Sequence, residues 1–152
     1  MNKKGLLLAE ETLKIIIALI AIGFLVYFLT SLYFANVNTQ KKQHAAASLE
    51  RIADVIRNIQ NEAENITDIT PPGWYLFSFT DEEKPNLCSG INCLCICDNV
   101  FLGIGNQAKK CDKKGVCEIV EDLEYFEKIK IKSPGISIEV LKSENKIIVR
   151  EK

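Results

Sequence analysis

The sequence predicts an α+β protein: an N-terminal transmembrane helix extended by an amphipathic helix, then a small antiparallel β-domain stapled by disulfides. Three observations predict it: an uncharged apolar stretch at 15–35, a helical stripe of apolar residues after it, and six cysteines confined to 88–117 among short β-prone runs. The predicted segments are a cytoplasmic leader 1–14, a transmembrane helix 15–35, an amphipathic helix 36–70 and a β-domain 71–152.

Composition argues against several function classes. The 152 residues carry a net charge of −1, with acids and bases mixed along the chain, so the basic patch that nucleic acid requires is missing. The only histidine, His44, stands alone and is expected to be a solvated surface residue. No glycine-rich phosphate loop and no Ser or Cys with a histidine base is evident, so we expect no enzyme activity and no cofactor.

The stretch 15–35 is 21 residues long and contains no charge. At about 1.5 Å per residue a helix of this length spans roughly 31 Å, the thickness of the hydrocarbon core of a bilayer. It is longer than the apolar region of a cleaved secretory signal, and no A-x-A site follows it. We therefore expect a retained helix in the lipid bilayer.

The orientation follows from two signals. Lys3 and Lys4 favour a cytoplasmic N-terminus, although Lys41 and Lys42 on the far side weaken the charge asymmetry. A disulfide-rich domain belongs in an oxidising compartment, which places the cysteines outside. The predicted location is the cell membrane, with a single span, the N-terminus in the cytoplasm and the C-terminal domain outside.

The N-terminus carries a possible processing motif, in which Lys3 and Lys4 precede Gly5, and Glu10 follows five residues later. This arrangement, over about the first 35 residues, resembles type IV pilins and archaeal proteins with a class III signal peptide. The resemblance implies a prepilin-type peptidase that cuts between Gly5 and Leu6. It also implies that Glu10 pairs with the new N-terminal amine of a like subunit in a filament. An ordinary signal anchor is the alternative.

A stripe of apolar residues with a 3.5-residue period follows the apolar stretch, and it predicts a helix. Its members are Ala45, Leu49, Ile52, Ile56, Ile59, Ala63 and Ile66. In the pilin architecture such a helix lies against the β-sheet of its own subunit; a self-associating coiled coil is the alternative. Asn65, at the predicted end of the helix, begins a possible N-glycosylation sequon with Thr67.

The remainder of the chain consists of short β-prone runs separated by turn residues, which predicts a series of short strands. In the first of them, Tyr75, Phe77 and Phe79 share one face, which is predicted to be the core side. The last three are predicted to form a meander. The predicted strands are 74–79, 93–97, 115–120, 127–132, 136–142 and 146–150.

The cysteines are expected to form three disulfides. Cys93, Cys95 and Cys97 alternate, so in a strand they project from one face, with Cα atoms roughly 6.5–7 Å apart per step and poorly aimed for mutual bonding. Each should therefore bond to one of three other cysteines, which reduces the 15 possible connectivities to six. These partners are Cys88, Cys111 and Cys117. The spacing lacks the two C-x2-4-C pairs that are typical of a structural zinc site, so no metal is expected.

These observations predict a non-catalytic structural protein outside the cytoplasm, pilin-like or pseudopilin-like, anchored in the bilayer. Its expected partners are like subunits or other membrane proteins. A tethered binding module, whose β-domain recognises a ligand or a partner protein, is the alternative from another class.

Overall fold

The computed structural model describes residues 3–60, 63–99 and 105–152, and for residues 3–10 the backbone alone. The chain divides into two compact units, Met1–Thr39 and Gln40–Lys152. The described helices and strands are α1 (Lys3–Asn58), β1 (Ala63–Ile69), β2 (Tyr75–Phe79), β3 (Cys93–Cys97), α2 (Gln107–Lys114), β4 (Gly115–Ile119), β5 (Ile129–Lys130), β6 (Ile136–Ser143) and β7 (Lys146–Glu151). The predicted α+β class, with a long apolar helix before antiparallel sheets, is confirmed.

The first unit is helical throughout its described part. Helix α1 includes residues 36–40, between the predicted transmembrane helix and the apolar stripe. It is the one helix in the described residues that is long and apolar enough to span a membrane. The hydroxyl of Thr30 donates a hydrogen bond to the carbonyl oxygen of Val26 at 2.9 Å, so this polar group is satisfied within the helix.

In the second unit, the end of α1 contributes one face to the core. Ala45, Leu49 and Ile52 are buried in a single cluster with side chains of both sheets. The backbone N–H of Thr70 donates a hydrogen bond to the hydroxyl of Ser48 at 3.0 Å, which ties the helix to the segment after β1. The part of the stripe that lies on α1 therefore packs against the sheets of its own chain, as predicted.

The predicted helix 36–70 is wrong beyond Asn58, because 63–69 forms strand β1. Ile66 pairs with Ile138, and Ile69 pairs with Ile136, so the register shifts between the two pairs. Asp68 has a positive φ of 57° in this bulge. The extra residue turns both Ile66 and Ile69 towards the core, so a strand shows the three-residue spacing of a helix.

One three-stranded sheet has the order β1-β6-β7. Its hairpin closes between Ser143 and Lys146, and the two residues between them, Glu144 and Asn145, both have positive φ. Positive φ at both central residues is the geometry of the type I′ turn that suits the twist of a hairpin.

The other sheet has the order β4-β3-β2-β5. The meander predicted for the last three strands is therefore confirmed for β6 and β7 but wrong for β5: β5 pairs with β2, whereas β6 pairs with β1 and β7. Alternation within a short run indicates a strand but carries no information about its partner. Here the backbone N–H of Ile131 donates a hydrogen bond to the carbonyl oxygen of Trp74 at 2.9 Å, which fixes the chain after β5 beside β2.

This second sheet is covered on both faces. Leu76, Leu94 and Ile96 lie in the main core with α1, whereas Phe77 packs in a separate cluster with the cysteines. The face of β2 that carries Phe77 was predicted to be the core side, but the main core lies on the opposite face. A strand that is buried on both faces shows no alternation of apolar and polar residues, so its sequence does not indicate which face meets the main core.

Truncation of Ile52 tests the core contact of α1. Ile52 is 0% exposed, so Ile52→Ala should lower the free energy of unfolding by about 2–5 kcal/mol. The matched control is Ile119→Ala, since Ile119 is 45% exposed and its truncation should cost about 1 kcal/mol or less. Denaturant unfolding in detergent, followed by the fluorescence of the single tryptophan, Trp74, measures both. Equal losses would contradict the packing described.

Candidate functional site: the apolar helix and the disulfide cluster

The apolar surface of α1 has no counterpart elsewhere in the described residues. Every residue from 11 to 36 is exposed, and no charged residue lies between Lys14 and Lys41. Exposed aromatic rings are included, such as Tyr33 and Phe34, whose centroids are 5.7 Å apart. A continuous apolar surface on all sides of a helix is unfavourable in water and is suited to lipid or to other apolar helices.

The predicted processing residues Gly5, Leu6 and Glu10 fall within the bounds of α1. Their side chains lie outside the described residues, so the expected cleavage position and the expected pairing of Glu10 stay predictions. Asn65 lies on β1 with its side chain exposed, and Thr67 of the same triplet is also exposed. His44 is exposed on α1, as expected.

The cysteines form three disulfides, and the connectivity is one of the six that sequence geometry left open. The bridges are Cys88–Cys93, Cys95–Cys117 and Cys97–Cys111, with Cα atoms 5.8, 4.1 and 5.2 Å apart respectively. All six cysteines are bridged.

The secondary structure explains each pairing. Cys95 and Cys117 are directly opposite each other in the register of β3 and β4, so their side chains project together on one face. Cys93 begins β3, and its bridge to Cys88 closes the short loop that follows a 3-10 turn at Asn86–Cys88. Cys97 is the last residue of β3, and its bridge to Cys111 connects this strand to α2.

Helix α2 is not among the elements predicted from the sequence; it carries four lysines, Lys109, Lys110, Lys113 and Lys114. The N–H of Lys109 donates a hydrogen bond to the side-chain oxygen of Asn106 at 3.0 Å, so Asn106 caps the helix. Asn at the N-cap followed by lysines in the last turn was the available signal. The helix places Cys111 against β3.

The residue after α2 must be glycine for this packing. A Cβ atom on Gly115 would lie 2.5 Å from the Cβ of Cys97 and 2.7 Å from the carbonyl oxygen of Cys111. Real Cβ atoms do not approach other atoms so closely, and one of the two neighbours is backbone. The backbones of α2 and β4 can therefore join beside the Cys97–Cys111 bridge because no side chain intervenes.

Aromatic side chains extend the cysteine cluster along β2. The rings of Tyr75, Phe77 and Phe79 follow each other at centroid separations of 6.0 Å, and the ammonium of Lys128 lies 5.8 Å from the ring centroid of Tyr75. An open groove of about 410 Å³ runs beside this row, with exposed Tyr125 on its wall. Four of the side chains that line this groove are aromatic: Phe77, Phe79, Tyr125 and Phe126.

The domain surface carries dispersed ion pairs. Arg57 pairs with Glu118 at 2.6 Å, and Lys132 pairs with Glu151 at 2.6 Å. These pairs are exposed, so each contributes at most about 1 kcal/mol. They link neighbouring elements but assemble no concentrated charge of one sign.

The comparisons with known proteins add no relative: the chain matches no protein-family model, no curated protein and no solved structure. Its function is therefore argued from its own residues.

Removal of each bridge tests how the cluster stabilises the domain. The loops closed by Cys95–Cys117, Cys97–Cys111 and Cys88–Cys93 have sequence separations of 22, 14 and 5. Because chain entropy grows with loop length, paired Cys→Ala variants should lose about 3.4, about 3.0 and about 2.1 kcal/mol in that order. Non-reducing urea unfolding measures the losses. A largest loss for the Cys88–Cys93 pair would contradict this order.

Proposed function

We propose that the chain is a membrane-anchored structural protein displayed outside the cytoplasm, pilin-like or pseudopilin-like, with no catalytic activity. The observation that carries the proposal is the fully exposed apolar surface of α1 over 15–35, on a helix whose last part, from Ala45 to Ile56, contributes to the core of a β-domain. Such a surface is stable in lipid or against other apolar helices, which are the two environments of a pilin-like subunit.

The topology of the proposal has the N-terminus in the cytoplasm and the β-domain outside. Lys3 and Lys4 precede the apolar helix, and positive residues favour the cytoplasmic side. The three disulfides support the same orientation, because structural disulfides persist in oxidising compartments.

Assembly and processing follow from the motif at the N-terminus. Cleavage between Gly5 and Leu6 by a prepilin-type peptidase would leave Glu10 near the new amino terminus, at the edge of the bilayer. A carboxylate there is unfavourable unless it is paired, so the amine of a neighbouring subunit is a suitable partner. The need to pair Glu10 with this amine would favour one axial offset between neighbouring subunits.

The chemistry of the described side chains supports a non-catalytic role. All six cysteines are bridged, so none offers a thiolate nucleophile. The only histidine, His44, is exposed on α1. The aromatic groove beside β2 is the surface that a tethered binding module would use, and it makes that function the second candidate.

The intact mass of membrane-extracted protein tests the processing step. We expect the mature chain to lack residues 1–5, and the variant Gly5→Leu to keep them. Gly23→Leu is the matched control, because it places the same side chain on the same helix where no atom lies within 4 Å of the added Cβ, and it should be processed normally. Retention of Lys3 and Lys4 in the unaltered protein would favour the tethered binding module.

Protease accessibility tests the topology. A tag fused after Lys152, which is exposed, should be removed when protease is added to intact cells, whereas an N-terminal tag on the Gly5→Leu variant should be cut only after the membrane is opened. A C-terminal tag that is protected in sealed cells would contradict the proposed orientation.

A further inference from the structure

Two of the disulfides lie side by side and bring four sulfur atoms together. The Sγ atoms of Cys88, Cys93, Cys95 and Cys117 all lie within 4.8 Å of one another, and three of these residues are buried while Cys117 is half-buried. Between the two bridges, the Sγ of Cys95 is 4.0 Å from that of Cys88 and 3.8 Å from that of Cys93.

The separations between the two bridges are close to those between the sulfurs of a tetrathiolate metal site. Zinc binds thiolate sulfur at about 2.3 Å with tetrahedral geometry, so its ligand sulfurs lie about 3.8 Å apart. The four sulfurs are therefore grouped closely enough to bind one ion, once the two S–S bonds are broken and the sulfurs of each bridge move apart to this distance. The linear spacing of the cysteines did not indicate a zinc site, because the ligands come from a loop and two strands.

The supporting structure does not depend on the bridges alone. Cys93 and Cys95 are held in β3, and Cys117 is held in β4 by the continuous antiparallel register of the two strands. The loop that carries Cys88 is attached separately to α2, since the side-chain amide of Asn86 and the backbone N–H of Leu87 donate hydrogen bonds to the carboxylate of Asp112 at 3.0 and 3.2 Å. Within the loop, the ammonium of Lys84 donates a hydrogen bond to the carbonyl oxygen of Gly90 at 3.1 Å. This ammonium also provides positive charge on the loop that would carry one of the thiolates.

We propose that Cys88, Cys93, Cys95 and Cys117 form a zinc site when their two disulfides are reduced. A dithiol supplies the electrons: each bridge takes up two electrons and two protons to give two thiols, and the dithiol becomes a disulfide. Binding of Zn²⁺ by the four thiols then releases their protons and leaves a tetrathiolate. The loop, β3 and β4 are crosslinked in both states, by two disulfides or by one ion.

The third bridge belongs to a different part of the cluster. Cys97 and Cys111 join β3 to α2, and neither belongs to the group of four sulfurs. The side-chain amide of Gln107 lies 3.6 Å from the Sγ of Cys97 and 3.5 Å from the Sγ of Cys111, so this pair has polar contacts of its own. The pair therefore provides an internal control for the proposed site.

Cobalt binding to the full chain in detergent tests the proposal. After anaerobic reduction with a phosphine, which removes all three bridges, Co²⁺ is added and then displaced by Zn²⁺. We expect one Co²⁺ per chain with the intense visible bands of tetrahedral tetrathiolate cobalt, and recovery of the β-sheet circular dichroism signal on loading with Zn²⁺. The double variant Cys97→Ser with Cys111→Ser should behave in the same way.

Substitution of one of the four cysteines should weaken cobalt binding and change the spectrum of the bound ion. Cys117→Ser should abolish the tetrathiolate spectrum and weaken binding by more than the roughly 10–100-fold that loss of an outer-shell partner costs. Equal binding by Cys117→Ser and by the double variant would mean that thiols of an unfolded chain bind the metal, and it would overturn the proposal. A spectrum with fewer than four sulfur ligands, or no binding, would overturn it as well.

Discussion

The structure of the β-domain depends on one strand that is buried on both faces and paired along both edges. All five residues of β3, Cys93–Cys97, are buried. β2 and β4 pair with it over its whole length, so its backbone hydrogen bonds are made within the sheet. Leu94 and Ile96 face the main core, whereas the three cysteines face away from it. Every neighbouring element is therefore positioned relative to this strand.

Helix α1 meets two environments within one continuous element. Over 15–35 it is apolar on every side, and all of these residues are exposed. From Ala45 to Ile56 the apolar residues of α1 narrow to a stripe, which is buried in the core of the second unit apart from the half-buried Ile56. A stripe requires a partner on one side and water on the other, whereas an all-round apolar surface requires an apolar solvent. The change of pattern along α1 thus marks a change of surroundings.

The sequence predicts the parts of this fold whose signals are local. The apolar helix follows from the length of its apolar stretch, the first and last residues of β3 follow from alternation, and the β6–β7 hairpin follows from its turn residues. The exclusion of bonds among Cys93, Cys95 and Cys97 follows from strand geometry. The elements missed or misplaced depend on nonlocal or special geometry.

Strand β1 shows why local signals fail. The spacing of Ile66 and Ile69 fits a helix, and only a bulge with Asp68 at positive φ lets a strand bury both. Similarly, the partner of β5 is decided by contacts beside Trp74 that no short window contains. The group of four sulfurs is equally nonlocal, since Cys117 is 22 residues from its partner Cys95.

The disulfides cover one face of the sheet as well as crosslinking its strands. The inner face of β3 lies in the main core with residues of α1 and of the other sheet, whereas its outer face packs with the disulfides, α2 and the aromatic row that includes Phe77. Bridged cysteines are compact and apolar, so they bury this face without another sheet. Three free thiols in a row would cover it less firmly, because nothing would then hold the loop at Cys88 and helix α2 in place. The bridges from these three cysteines are for this reason part of what holds the outer layer of the sheet in place.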